Sequence, residues 1–344
     1  MTKKTRGYID GCFDLMHSGH FNAIRQAKSV CDILIVGIHS DDEIALNKAP
    51  PVMKQAERYA LLDHIKWIDE VLYDVPYSPT LELLEKHNID FVIHGDDMPL
   101  NSEGKCAYDE IIAAGKMKII KRTEGVSTTD IVGRILLLSK DHLSSADLKA
   151  KSAMLLSTRR VAEFSSRRAP TAQDKIVYMD GGYDMFHVGH ASTLKKAKEM
   201  GTFLTVGVFD DDTVHRMKGA NFPIMNLYER VLNVCACKWV DEVIIGAPLE
   251  LTEEIIRNMN ISVIVEGTRS GSAAMRDSKI DQVNEVPKKL GIFQKISSDW
   301  GYLNIQEIAN RIIENRATYL KRNEKKVAQE EEFYKQRSQG ILEA

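Results

Sequence analysis

The chain has 344 residues, of which 44% are hydrophobic and 28% are charged, with a formal charge of −3 at pH 7. This length suits two domains of moderate size, and the slightly negative charge argues against a nucleic-acid-binding protein. Five cysteines without metal-ligand spacing, and an N-terminus without an apolar targeting region, favour reduced thiols in a cytoplasmic protein. No stretch approaches the roughly 18 apolar residues that span a bilayer, so no stable membrane anchor is expected.

From the N-terminus, short apolar β-branched runs alternate with helical patterns. Strands are predicted at Gly7–Asp10, Ile33–Ile38, Asp69–Tyr73 and Phe91–His94, and helices at Ser18–Val30 and Thr80–Asn88. This alternation predicts right-handed crossovers and a doubly wound parallel α/β sheet of the Rossmann-like type. Such sheets bind ligands at the carboxyl ends of their strands.

A segment at the first strand occurs twice. Residues 8–20, YIDGCFDLMHSGH, match residues 178–190, YMDGGYDMFHVGH. The register continues through Lys48 and Lys218, and after a small insertion Trp67 matches Trp239. The repeat predicts two tandem α/β domains of the same fold.

The repeat also sets the domain boundaries. We place the first copy at 1–140 and the second at 175–304. Residues 141–174 form a linker too polar for a core. Residues 305–344 are densely charged, which predicts a C-terminal helical tail that extends into solvent or against a partner.

Two histidines flank a glycine just after the first strand. His17 and His20 lie three residues apart at the start of a helix, so they project from one face of its first turn. Free amides at a helix N-terminus bind anions, and Gly19 allows a ligand to approach the backbone closely. Two imidazoles there can donate hydrogen bonds to the α-phosphate of a nucleotide and to its bridging oxygen.

Residues 11–20 resemble the signature of the cytidylyltransferase family of nucleotidyltransferases. A second motif, RTEGVSTTD at residues 122–130, resembles the Arg-Thr-x-Gly-Ile-Ser-Thr-Thr motif of that family. The duplicated arrangement is similar to its phosphoethanolamine-specific branch, whereas choline-phosphate relatives carry one catalytic copy and a membrane-sensing helix. The resemblance implies transfer of CMP from CTP to phosphoethanolamine, by in-line attack on the α-phosphate without a covalent intermediate. It also implies Mg²⁺ held mainly by the CTP phosphates and water.

The resemblance assigns roles to residues of the first copy. The implied catalytic residues are His17, His20, Lys48 and Arg122. The implied nucleotide-binding residues are Gly11, Phe13, Gly19, Arg58, Ser127 and Thr128. Two alternatives stay open. Arg58 could instead pair with a carboxylate such as Asp63 or Glu57, and Tyr77 could pack beside its neighbouring proline without contacting a ligand.

The acceptor is inferred from the groups that would hold its ammonium. A primary ammonium needs carboxylates, for which Asp10, Asp96 and Asp97 are the candidates, whereas a quaternary ammonium needs an aromatic cage. Tyr77 and Leu100 stand where choline enzymes carry a tryptophan and a tyrosine, which favours phosphoethanolamine. Alternatives are a choline-phosphate cytidylyltransferase, and a non-catalytic sensor that binds nucleotide. A homodimer is a further expectation, for which no residue gives specific evidence.

The second copy departs from the motif after the shared residues His187, His190, Lys218 and Arg230. Residues 295–304 lack a counterpart of the 122–130 motif, and Thr268 and Arg269 replace the two acids. We therefore expect a weak or vestigial second site.

Overall fold

A computed structural model describes residues 3–123, 125–138, 157–165, 168–219, 222–267 and 283–324. The strands of the first copy are β1 (Arg6–Gly11), β2 (Ile33–Ile38), β3 (Glu70–Tyr73), β4 (Phe91–Gly95) and β5 (Met117–Ile120). Its helices are α1 (Ser18–Ser29), α2 (Asp41–Asn47), α3 (Gln55–Leu62), α4 (Leu81–Lys86), α5 (Asp109–Ala113) and α6 (Thr128–Leu138). The predicted elements are confirmed within one or two residues, including Thr80, which caps α4 by accepting from the Leu83 amide.

A linker helix, α7 (Thr158–Phe164), precedes the second copy. The strands of that copy are β6 (Ile176–Gly181), β7 (Phe203–Val208), β8 (Glu242–Ile245), β9 (Ile261–Gly267) and β10 (Phe293–Ile296). Its helices are α8 (Val188–Lys198), α9 (Asp211–Lys218), α10 (Leu227–Cys235), α11 (Glu253–Asn258), α12 (Glu285–Lys289) and α13 (Ile305–Glu314).

Each copy forms a five-stranded parallel sheet, which confirms the predicted tandem α/β architecture. The first sheet has the order β3-β2-β1-β4-β5, and the second has the equivalent order β8-β7-β6-β9-β10. In both sheets the chain reverses its direction of winding beside the first strand, β1 or β6. The loop after that strand therefore opens at the switch point, where open α/β sheets bind ligands.

The two copies pack about a local twofold axis. Ile65 forms an antiparallel bridge with Cys237, its counterpart in the repeat. The Lys66 amide donates to the Ala236 carbonyl at 3.1 Å, and the Lys238 amide donates to the His64 carbonyl at 2.8 Å. Since these bonds join equivalent residues reciprocally, the contact has the self-complementary form of a symmetric dimer interface. One apolar cluster of buried side chains runs through both copies.

Two boundary expectations differ from the structure. The linker was expected to take no part in a core, yet Phe164 is fully buried and packs edge-on against Trp67 at 5.2 Å between ring centroids. The helical tail from residue 305 was expected to extend into solvent or against a partner, yet α13 is the counterpart of α6 and buries Ile308 and Ile312 within this chain. Residues 316–324 are also helical, and Tyr319 is buried. Apolar positions at helical spacing inside a charged segment explain this difference.

Within the described residues, no helix combines the length and apolarity needed to cross a membrane. Residues 325–344 and most of the predicted linker lie outside the described part of the chain.

Candidate functional site

The two histidines are fixed by the backbone of the helix that they open. His17 is the N-cap of α1, and its Nδ1 accepts the Gly19 amide at 3.1 Å. His20 Nδ1 faces the His17 amide at 3.4 Å, and the two rings lie 4.1 Å apart. Because both Nδ1 atoms are acceptors, each neutral ring carries its proton on Nε2. The pair can therefore present two Nε2–H donors to an anion.

The loop before His17 has an unusual backbone. Phe13 and Leu15 adopt positive φ angles of 47° and 46°, a left-handed conformation that is strained for such side chains. Tyr183 and Met185 repeat it in the second copy. Gly19 has a structural function beyond the expected close approach of ligand, because a Cβ there would lie 2.8 Å from His17 Cε1.

A second helix N-terminus meets the first at this point. Val126, just before α6, lies 3.3 Å from where a Cβ of Gly19 would stand. Ser127 caps α6: its hydroxyl accepts the Asp130 amide at 3.1 Å and donates to the Asp130 carboxylate at 2.8 Å. Thr128 Oγ1 lies 3.4 Å from the Asp14 carbonyl. Two helix dipoles thus converge beside the histidines, which strengthens an anion site.

Lys48 ends α2 and reaches back toward the first strand. Its Nζ lies 3.9 Å from Cys12 Sγ and 5.3 Å from the centre of the Tyr77 ring. Tyr77 is 4% exposed and packs against His39 at 5.3 Å between ring centroids. The structure therefore brings Lys48 and Tyr77 together beside Cys12.

Asp10 is a buried acid at the end of β1. Tyr108 donates a hydrogen bond to its Oδ1, whereas Oδ2 is buried without a hydrogen-bond partner. Burial raises the pKa of Asp10 to about 6, although the hydroxyls of Tyr108 and Tyr8 oppose this shift. An unpaired, buried carboxylate oxygen is the group that an ammonium would satisfy.

Arg122 is held by the two acids that were expected to bind the acceptor. Its amide donates to Asp96 Oδ1 at 3.2 Å, and its guanidinium lies 3.4 Å from Asp97 Oδ2. A Cβ on Gly95 would approach Asp97 Oδ1 to 2.8 Å, so Gly95 lets this carboxylate fold back. In this geometry Asp96 and Asp97 hold the arginine in place, and Asp10 presents the unpaired carboxylate oxygen.

Arg58 is 1% exposed and crosses the site below its surface. Its guanidinium donates to the Cys12 carbonyl at 2.6 Å, to the His39 carbonyl at 2.9 Å and to Asp41 at 2.6 Å. It ties the loop after β1 to the loop after β2. A structural carboxylate partner was one of the two expectations, but the partner is Asp41 rather than Asp63 or Glu57. Direct contact with nucleotide stays a prediction.

The second copy keeps both the geometry and the burial of the histidine pair, since His187 is 4% exposed and His17 is 6% exposed. His187 Nδ1 accepts the Gly189 amide at 3.1 Å, and the rings of His187 and His190 stack at 4.0 Å. Burial lowers the pKa of His187 to about 3, and that of His190 lies well below its usual value for the same reason. Arg230 repeats the role of Arg58 by pairing with Asp211. Lys218 ends α9, as Lys48 ends α2, and Thr268 and Arg269 lie outside the described residues.

Several residues of the site carry no signal in the sequence. Tyr108 lies 98 residues from Asp10, and Arg311 lies 254 residues from its partner Glu57. No motif links either pair. The position of Glu57 beside Arg58 in both copies was the one available hint that this glutamate has a partner.

Metal binding by the protein itself would need a cluster of ligating side chains. Among the described residues, no group of three or more His, Cys, Asp or Glu side chains is placed to hold a metal ion.

Comparison with known proteins adds independent information. A family model described as Cytidylyltransferase-like matches residues 8–134 and again residues 178–312. The chain is 46% identical to an ethanolamine-phosphate cytidylyltransferase of Dictyostelium discoideum, over 97% of this chain and 98% of that protein. It is 38% identical to a protein of the same name from Mus musculus, over 95% and 90% of the two chains. Choline-phosphate cytidylyltransferase 2 of Arabidopsis thaliana is 44% identical, over 39% of this chain and 45% of that protein.

Proposed function

The chain belongs to the cytidylyltransferase-like family, and we propose that it transfers CMP from CTP to phosphoethanolamine. The products are CDP-ethanolamine and pyrophosphate, which places the reaction in phospholipid biosynthesis. Similarity to ethanolamine-phosphate cytidylyltransferases covers nearly the full length, whereas similarity to the choline-phosphate relative covers 39% of the chain. The structural observation that carries the proposal is the unpaired Asp10 carboxylate oxygen, at the end of the strand that leads to His17.

The reaction is an in-line displacement at the α-phosphate of CTP. A phosphate oxygen of the acceptor is already an anion, so the chain needs no general base. His17 and His20 donate from Nε2 to the α-phosphate and to the bridging oxygen that leaves with pyrophosphate. Lys48 and Arg122 offset the remaining negative charge, and the N-termini of α1 and α6 add their partial positive charge.

Mg²⁺ enters this proposal as an ion carried by the nucleotide. It would neutralise charge on the CTP phosphates while bound to them and to water. The roles given above to His17, His20, Lys48 and Arg122 do not depend on a protein ligand for the ion.

The acceptor is selected by charge rather than by an aromatic cage. Asp10 can form a direct ion pair with a primary ammonium, whereas the methyl groups of choline would hold the positive charge away from it. Leu100 is 51% exposed and provides no π face. The supporting wall consists of Tyr77 and Tyr108, both buried.

The second copy is proposed as a vestigial site. Its histidines keep the geometry of the first pair, but the Ser-Thr-Thr segment that opens α6 has no counterpart before α13. We also propose a cytoplasmic location. A homodimer stays a prediction that light scattering after gel filtration would check, since the twofold surface described above is already occupied within one chain.

The decisive experiment measures pyrophosphate release and identifies the nucleotide product. CTP with phosphoethanolamine is compared with CTP plus phosphocholine, CTP plus glycerol 3-phosphate, and ATP plus phosphoethanolamine. We expect the highest kcat/KM with the first pair. Preference for another pair would overturn the assignment, and calorimetric binding of CTP without product would support the non-catalytic sensor instead.

A further inference from the structure

Each copy sends one arginine into the other across the twofold axis. Arg134 of α6 binds Glu229 through two hydrogen bonds of 2.8 and 3.0 Å. Arg311 of α13 binds Glu57 through two hydrogen bonds of 2.7 and 2.9 Å. Both glutamate side chains are fully buried, and the arginine side chains are 9% and 12% exposed. These are bidentate, desolvated ion pairs rather than surface contacts.

The pair formed by Arg311 lies at the beginning of α3. Glu57 accepts the Lys54 amide at 2.9 Å, which closes the first turn of that helix, and it precedes Arg58. Tyr302 of the second copy donates to the same carboxylate at 3.1 Å. With Arg311, Tyr302 and the Lys54 amide as donors, the pKa of Glu57 is held below its usual value despite burial, which alone would raise it.

The same arginine also touches the loop that follows Lys48. Its Nη1 lies 3.4 Å from the Val52 carbonyl. The amides of Val52 and Met53 donate to Asp14, which is 7% exposed and lies in the strained loop before His17. The second copy thus contacts, through one side chain, both the start of α3 and the loop that holds Asp14.

A second cation from the same end of the chain approaches that loop. Arg322, in the helical segment 316–324, lies 3.8 Å from Asp14 Oδ2. Asn323 in the same segment donates to the Thr129 carbonyl in the first turn of α6 at 3.2 Å. The C-terminal helices of the second copy therefore contact three parts of the first site: α3, the loop of Asp14 and the start of α6.

We propose that Arg311 is a positioning residue for the nucleotide half of the first site, so that the second copy completes a site that it does not itself duplicate. The inference builds on the proposed function. Arg311 fixes Glu57 and the Val52 carbonyl, which sets the loop from Lys48 to Met53 against Asp14. That loop begins at Lys48. At its other end, Val52 and Met53 bind Asp14, which lies in the segment that leads to His17.

Loss of the Arg311 contact should weaken the binding of CTP and leave the binding of phosphoethanolamine unchanged. Val52, Met53 and Phe13 belong to the apolar cluster shared between the copies. Tyr8, Tyr77 and Tyr108 belong to a separate cluster, on the acceptor side. Loss of the Arg311 contact therefore loosens the nucleotide side and leaves the support of Asp10 in place.

The mirror pair supplies a matched control. Glu57→Gln and Glu229→Gln each remove one buried, bidentate carboxylate at the third position of a helix, and glutamine keeps the capping contact. Both variants lose one cross-copy ion pair, so both should lower the unfolding midpoint to a similar extent. Glu229 borders Arg230 of the second copy, whereas Glu57 borders Arg58 of the first.

The experiment compares KM and kcat for both substrates in wild type, Glu57→Gln, Glu229→Gln, Arg311→Met and Arg311→Lys, well below the lowest unfolding midpoint. We expect Glu57→Gln and Arg311→Met to raise the KM for CTP roughly tenfold, with a change below about twofold in the KM for phosphoethanolamine. Arg311→Lys should recover part of the loss because it restores the charge without the fork. Glu229→Gln releases Arg134 in the second turn of α6, so it should destabilise with a smaller rise in the KM for CTP than Glu57→Gln.

Two outcomes would overturn the inference. Equal KM values for CTP in Glu57→Gln and Glu229→Gln would mean that the ion pairs only stabilise the fold. A similar loss for both substrates would mean that Arg311 does not act on the nucleotide side. Wild-type protein without cytidylyltransferase activity would instead refute the proposed function, and calorimetric CTP affinities of the same variants would still test the role of Arg311.

Discussion

Tyr108 donates its hydroxyl hydrogen to one oxygen of Asp10, and the other oxygen of that carboxylate is buried and unpaired. Tyr108 lies just before α5, beyond β4, whereas Asp10 lies at the end of β1. Oδ2 is therefore the oxygen of this carboxylate that is left to accept an ammonium. This arrangement gives the acceptor half of the site a testable geometry.

Tyr108→Phe should weaken acceptor binding. Without the hydroxyl, Asp10 loses its charge-assisted hydrogen bond, and we expect the KM for phosphoethanolamine to rise roughly tenfold with the KM for CTP unchanged. Steady-state kinetics with each substrate varied would measure this. Tyr183→Phe in the second copy, whose hydroxyl is also buried, is the control and should leave both constants unchanged. Equal effects in the two variants would contradict the role of Tyr108.

The affinity for phosphoethanolamine should fall as the pH is lowered through about 6. Burial raises the pKa of Asp10 to about 6, so the carboxyl is neutral below that pH and cannot pair with an ammonium. The KM for phosphoethanolamine should therefore rise as pH falls, whereas it should be lowest above pH 6. In Asp10→Asn, the part of this pH dependence that comes from Asp10 is lost. Only the part that comes from titration of the acceptor phosphate remains. An identical pH profile in Asp10→Asn and wild type would refute the assignment.

His17→Ala and His187→Ala should differ sharply. The first removes a donor to the α-phosphate, and we expect kcat to fall by a factor on the order of 100 to 1,000. The second removes an imidazole from the copy that lacks a counterpart of the 122–130 motif, so kcat should change little. Circular dichroism would establish that both variants are folded. If both changes abolished turnover, the interpretation that only the first copy is catalytic would be wrong.

Gly19→Ala should displace the His17 ring. A Cβ at this position would lie 2.8 Å from Cε1 and 2.9 Å from Nδ1 of His17, closer than such atoms can approach. We expect a fall in kcat on the order of 100-fold, since a shift of about 1 Å in a catalytic group has that effect. Gly189→Ala creates the same clash with His187 in the second copy. It should therefore lower stability similarly while kcat stays near the wild-type value.

Local patterns accounted for much of this protein. The period of the apolar residues located the strands and helices, and the repeat established two copies with the same strand order. The position of His17 and His20 at the start of a helix also followed from the sequence, because a helix start depends on residues within about one turn. The same reasoning misplaced the start of the tail, since the charged residues of α13 concealed its buried face.

The sequence by itself determined the tandem α/β fold, the histidine pair and the motif that distinguishes the copies, because each depends on neighbours along the chain. The tertiary structure decided which side chains that are distant in sequence contact one another. It joined Asp10 to Tyr108, paired Arg122 with Asp97, turned Arg58 inward to Asp41, and brought Arg311 to Glu57. Partners separated by tens to hundreds of residues are selected by strand order and by packing about the twofold axis, and no local pattern encodes that choice.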